Sequence, residues 1–421
     1  VSQTYLELIE RQPRRRLFLL LNLWAGSFYC FIAFYFGFWP AVPGSMFATV
    51  DAQTYQEVAE WLYGVKAETT YAALRPYFYP LLLGGQYLGG VYAIWLMQFL
   101  GWLATLNLMG LSAFRLTGRT GAGASLFILF SVNVSLIALT FHALTESVAV
   151  CLTTGWVFLW VRRRPAAWRW PDMASLVAIM AILLVIKPLY QLHLFLCLVV
   201  AVGWAFWRGQ NTARTWASLA LALGPVFIQL GLMFSLYQTV SLSKIGGGTL
   251  REYYFSKVYM RVEGLPDLED ARRAVSDYPT PRMITYLGQA PLTASLVFGE
   301  NMAINFLSRS NLVERSRHYY LFLYSAATNF VYSLAHLLFL PAVWRALRAG
   351  PLERRLQLGL PYLFFILVAV SSGLSFFQGD RLIIVAMPFW AIVYAQLVFV
   401  TTLRKGDSYS NEPVVGYLDP E

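Results

Sequence analysis

The chain reads as an all-α polytopic membrane protein. Hydrophobic residues make up 58% of its 421 positions and charged residues only 13%, with a mean hydropathy of +0.54. That leaves too little polar surface to cover a water-soluble globule of this size. Apolar windows of roughly 17 to 25 residues, long enough to cross hydrocarbon at about 1.5 Å rise per residue, recur along most of the sequence. Arginines crowd into every second connection between them, the pattern expected of loops on alternating membrane faces.

About ten spans are expected from these windows. They run from Leu17 to Trp39, Val91 to Phe114, Ala122 to Phe141, Ser147 to Val161, Met173 to Ile186, Leu192 to Trp207, Trp216 to Leu236, Tyr320 to Trp344, Leu356 to Leu374 and Leu382 to Leu403. The first begins after Arg14, Arg15 and Arg16, is too long for a signal-peptide core and ends at Trp39 and Pro40 without a small-residue cleavage site, so it is expected to stay as a helix. With that arginine cluster in the cytoplasm, the following cytoplasmic turns carry Arg115 and Arg119, then Arg162, Arg163, Arg164 and Arg169, then Arg208 and Arg214, then Arg345, Arg348, Arg354 and Arg355, then Arg404 and Lys405. The opposite short loops hold only Lys66, Arg75, Lys187 and Arg381. The net charge of +10 is therefore mainly an orientation signal, and no basic, aromatic soluble module points to nucleic acid.

The whole chain, 1–421, is expected to be one transmembrane domain with two outer segments, 40–90 and 237–318. In the first, Asp51, Tyr55, Val58, Ala59 and Leu62 recur at helical spacing while Glu57 and Glu60 project elsewhere, which predicts an interfacial helix with Asp51 at its N-terminal end. In the second, Pro266, Asp267, Glu269 and Asp270 precede Arg272 and Arg273, an acidic start and basic finish that suit a short helix, with Glu269 and Arg273 spaced i to i+4. The apolar run from Ala290 to Leu307 is interrupted by Glu300, Asn301 and Asn305 and reads as interfacial or re-entrant. Gly246, Gly247 and Gly248 lack both a preceding strand and a phosphate-loop lysine and read as a bend.

Cys30, Cys151 and Cys197 fall inside expected spans as small apolar residues, so neither a disulfide nor zinc is expected of them. His142, His193, His318 and His336 show no ligand spacing of a catalytic zinc site.

The residues that invite a chemical reading share one face. Asp51, Arg75, Glu146, Lys187 and Arg381 are far apart in sequence, yet the expected topology brings all of them out on the non-cytoplasmic side. Ionisable groups at the edge of hydrocarbon are costly, and carboxylates beside cations there suit transfer from an anionic lipid. Asp51 is the candidate general base, because partial burial raises a carboxylate's proton affinity; its alternative role is a helix N-cap. Arg75, held extended by Pro76, is a candidate bidentate phosphate ligand, with Lys187 and Arg381 beside it. Snorkelling to the interface is the alternative for Arg75 and Lys187, and neutralisation by Asp380 the alternative for Arg381. Glu146, with Tyr55, can orient an acceptor or a divalent metal; for Glu146 the alternative is a favourable helix-dipole contact.

The stretches DAQTYQEVAEWLYG, RPYFYPLLLGG, LTES and QGDRLIIVAMPF, in this order, resemble the GT-C superfamily of polytopic glycosyltransferases, which includes protein O-mannosyltransferases and the lipid A aminoarabinose transferase. The resemblance implies inverting transfer of a monosaccharide from a polyprenyl-phosphate carrier to a glycan, lipid or protein acceptor of the cell envelope. It implies that Asp51 is the first-loop catalytic acid, Arg75 the cation of an R/K-P segment and Arg381 the arginine before the last Pro-containing run. The corresponding location is the cytoplasmic (inner) membrane, with the site facing the periplasm or exterior. A flippase or transporter of a lipid-linked sugar is the alternative, and a scaffold of an envelope-polymer complex a third.

Overall fold

The computed structural model describes residues 14–39, 42–163, 165–210, 212–307, 312, 319–349, 352–375 and 380–401. All regular structure among them is helical. Pro40, Arg164, His318, Arg404 and Lys405 lie outside the described residues.

Among the described residues, five helices are long and apolar enough to cross a membrane: Arg15–Tyr35, Val91–Thr117, Pro188–Trp207, Tyr319–Ala349 and Arg355–Leu374. A sixth is reached if Ala213–Ala222 and Gly224–Tyr237, which meet at 55°, count as one span. The bend falls at Gly224 and Pro225, where the ring removes a backbone donor from the ladder. The chain is thus a helical membrane protein, and each of these helices overlaps an expected span.

The four remaining expected spans are helical but shorter, broken or more polar. Ala122 to Phe141 divides into Thr120–Ser131 and Val134–Leu139, because Asn133 caps the second piece by accepting from the Leu136 amide at 3.0 Å. Leu382 to Leu403 divides into Arg381–Ile384 and Met387–Thr401, with the break at Val385 and Ala386 just before Pro388, whose ring withholds a donor from the preceding turn. Trp170–Ile186 is an apolar helix of 17 residues, and Thr145–Arg162 has 18 but carries Glu146, Thr153 and Thr154.

Packing uses close backbone contact and large rings. A Cβ on Gly123 would lie 2.8 Å from the Gly110 carbonyl oxygen, so Val91–Thr117 and Thr120–Ser131 touch at a point only glycine permits. Deeper in the bundle the Trp156 ring meets Trp160, Phe364 and Phe389 at centroid distances of 5.2, 5.0 and 5.7 Å. These contacts join the Thr145–Arg162, Leu352–Ser371 and Met387–Thr401 helices, the first of which carries Glu146, while the last follows the short Arg381–Ile384 helix.

The second outer segment is a chain of short helices ending in Pro291–Leu307. Asp267 caps Leu268–Ala274, accepting from the Asp270 amide at 2.8 Å. Glu269 pairs with Arg272, one residue closer than the expected Arg273, which approaches Asp270 instead. Gly246 to Gly248 lie within a helical turn, Ile245–Thr249, rather than a bend. Pro291–Leu307 is tied down by its amides: Asn301 donates to the Gly373 carbonyl at 3.1 Å and Asn305 to the Ser372 carbonyl at 2.8 Å. The segment is therefore anchored to the stretch that leads towards Arg381.

Candidate functional site

The site starts from the Val50–Leu62 helix. Its N-cap is Thr49, whose hydroxyl accepts from the Ala52 amide at 3.2 Å. Asp51 thus sits inside the first turn and is relieved of the capping role. Its carboxylate is occupied elsewhere: Oδ1 accepts from Arg75 at 2.6 Å and Oδ2 from Arg381 at 3.0 Å. On the same helix Thr54 accepts from Arg75 Nε at 3.0 Å, and the Tyr55 ring lies under the guanidinium, 4.6 Å from its centroid. Arg75 is therefore held by a carboxylate, a hydroxyl and a ring on one face of a single helix, and its side chain is only 12% exposed. This is a fixed position rather than an arm snorkelling along the interface.

Glu146 supplies the second half. The cap at Asn133 ends the preceding helix early, and the chain crosses 140–144 before Thr145–Arg162 begins. Ala143 donates to the Met46 carbonyl at 2.7 Å, tying this crossing to the approach to Asp51. Glu146, in the first helical turn, is buried; its Oε1 accepts from Lys187 at 2.9 Å and from Arg381 at 2.9 Å, and its Oε2 from Thr145 at 3.2 Å. Lys187 is in place because Pro188 ends the Trp170–Ile186 helix there. Arg381 bridges the two carboxylates from one guanidinium.

All five charged residues singled out in the sequence thus form one continuous network, Arg75–Asp51–Arg381–Glu146–Lys187. Three cations face two carboxylates, leaving one positive charge in a mostly buried place. An anion with several acceptor oxygens would complete the balance.

The electrostatics revise one expectation. Burial pushes the Asp51 carboxyl up, as expected, but Arg381 and Arg75 outweigh it and hold the group below its ordinary value. For Glu146 the same contest between burial and its neighbours Arg381 and Lys187 ends well below the usual carboxylate range. Both carboxylates are anions in this arrangement, and Asp51 is a weak base while both arginines hold it.

Other groups around the network carried no clear sequence signal. Tyr79 is buried and packs edge-on against Tyr55 at 5.1 Å. His142 is buried, and burial together with Arg381 lowers its pKa to about 4, so its imidazole is neutral. Tyr253, on the Leu250–Phe255 turn of the second outer segment, lies within electrostatic range of Asp51 and Arg75. Asp380 does not pair with its neighbour Arg381. It accepts from Ser135 and Asn329 in a separate buried setting.

Among the described residues, no group of three or more His, Cys, Asp and Glu is placed to hold a metal ion. The three cysteines are free. Comparison with protein-family models, curated proteins and solved structures finds no match to this chain.

Proposed function

We propose that the chain is an inverting glycosyltransferase of the GT-C kind, with the ten-helix arrangement read from its sequence. It moves a monosaccharide from a polyprenyl-phosphate carrier to an envelope glycan, lipid or protein acceptor on the non-cytoplasmic face of the cytoplasmic membrane. The observation that carries the proposal is the buried network in which Arg75 and Arg381 share the Asp51 carboxylate while Lys187 and Arg381 share Glu146.

In this reading the carrier's phosphodiester displaces the carboxylate from Arg75 and Arg381, whose donors then hold phosphate oxygens. Removing the two cations from Asp51 leaves burial as the main influence on it, so its proton affinity rises as donor binds. The base therefore becomes competent only with donor present. Asp51 takes the proton of the acceptor hydroxyl, the acceptor oxygen bonds to the anomeric carbon, and the bond from that carbon to the carrier phosphate oxygen breaks with inversion. The leaving phosphate gains a negative charge, which the cations stabilise most strongly where water is excluded. Glu146, fully engaged, keeps Lys187 and Arg381 in position.

The test is incubation of purified protein with a panel of radiolabelled polyprenyl-phosphate sugars and membrane extract. Wild type releases free carrier and labels an acceptor, whereas Asp51→Asn binds donor without releasing carrier. Donor binding without cleavage in both proteins would reassign the network to transport of the lipid-linked sugar.

A further inference from the structure

Asp380 and Arg381 are adjacent in the chain, yet their side chains serve different places. Arg381 enters the charged network, while Asp380 lines a narrow cleft between the Pro291–Leu307, Tyr319–Ala349, Arg381–Ile384 and Met387–Thr401 helices. The cleft wall carries Asn133, Asn305, Asn329 and Tyr332 together with the Trp390 ring. So many amide and hydroxyl groups facing one space are unusual in an otherwise apolar bundle, where polar side chains mark substrate paths.

Three of these groups have unused capacity, the Tyr332 hydroxyl being one of them. Asp380 is 4% exposed and Asn305 fully buried. One carboxylate oxygen of Asp380 accepts from Ser135 and Asn329, and the Asn305 amide nitrogen donates to the Ser372 and Ser375 carbonyls. The remaining oxygen of each, Oδ1 in both, is buried and has no hydrogen-bond partner among the described residues. A buried acceptor left without a donor costs about 1–3 kcal/mol, so the pair is set to receive donors. Carboxylate and amide oxygens are acceptors for hydroxyl groups, and an indole wall offers an apolar face to ring C–H groups.

We propose that this cleft binds the hydroxyl-bearing edge of an uncharged sugar ring, the ring whose phosphate the neighbouring network holds. The inference rests on the phosphate-carrier reading above and adds a second, charge-independent subsite to it. Asp380 and Asn305 accept from ring hydroxyls, and Trp390 packs on the ring. Because Asp380 and Arg381 are consecutive, their Cα atoms lie roughly 3.8 Å apart, so the cleft and the charged network branch from one point of the backbone.

The experiment measures binding of farnesyl phosphate and of its phosphodiesters with mannose, glucose and arabinose to the full chain in lipid nanodiscs. Calorimetry supplies the affinities, and the difference in tryptophan fluorescence between wild type and Trp390→Phe isolates the Trp390 wall among the chain's 14 tryptophans. Wild type is expected to bind at least one sugar-bearing probe tenfold or more tightly than farnesyl phosphate. Asp380→Asn, and independently Ile383→Trp, which fills the cleft from an apolar wall position, should remove that advantage while farnesyl phosphate still binds. Equal binding of all four probes to wild type, or an equal loss for every probe in both variants, would overturn the sugar subsite. Failure of wild type to bind any of the probes would overturn the phosphate site itself and this subsite with it.

Discussion

Replacing Glu146 by Gln tests whether the network is held together by its buried charge. The substitution keeps the shape and an amide oxygen that can still accept, but removes the one charged partner Lys187 has among the described residues and half of the partnership of Arg381. The side chains of Glu146, Lys187 and Arg381 are 1, 13 and 11% exposed, so neither cation regains full hydration. Breaking a buried pair from one side costs about 3–5 kcal/mol, and the slight exposure of the cations places this case near 3. Unfolding in mixed detergent micelles titrated with sodium dodecyl sulfate measures the loss. The companion variant Glu146→Gln with Lys187→Met restores the charge balance and should recover about half of it, as coupled neighbours do. A single variant as stable as wild type, or a double variant no better than the single, would refute the view that Glu146 is the counter-charge of both cations.

Three further outcomes follow from the same geometry. Arg381→Lys replaces the planar fork that spans Asp51 and Glu146 with one ammonium, and turnover in the labelled-donor assay should fall roughly 10²-fold; a change of only a few-fold would remove Arg381 from the phosphate site. The Asp51 carboxyl is held below its ordinary value of 3.8, so its contribution to stability is complete above that pH and is lost as pH falls through the folded value. Acid unfolding of Asp51→Asn should therefore show a shallower slope below pH 3.8 than wild type, and identical slopes would contradict the pairing. A Cβ at Gly373 would meet the Phe298 ring at 2.7 Å, so Gly373→Ala should cost about 1–3 kcal/mol and speed proteolysis within 237–307; unchanged cleavage would show that this anchor is dispensable.

Helix content was legible because apolar run length is a direct consequence of membrane thickness, and the runs around Leu20, Leu100, Leu198, Leu334 and Phe365 all became helices fit to span. Run length says less about continuity. Asn133 and Pro388 each sit inside an apolar run and cut it, one by offering a side-chain acceptor to the next helix and the other by withholding a backbone donor. Both breaks lie beside the network, where they let Glu146 begin a helix and Arg381 precede one. Hydropathy averaged over a window is insensitive to a single residue of this kind.

The site was legible for a different reason. A charge that must stay at a membrane edge has few places to go, so charged residues isolated between apolar runs were driven towards one another: Arg75 reached Asp51 across 24 residues and Arg381 reached it across 330. What sequence could not supply was the sign of the contest at Asp51. Burial alone raises a carboxyl, and only the arrival of two guanidiniums on its two oxygens reverses the outcome. That reversal changes the chemistry expected of the residue. A free, half-buried aspartate would be basic at all times, including when water was the nearest hydroxyl; one clamped by the proposed phosphate ligands gains basicity only when an anion takes them away. On the proposed function, the ion pairs seen here then serve as a guard against hydrolysis of the donor, and the residues that bind the leaving group also decide when the base can act.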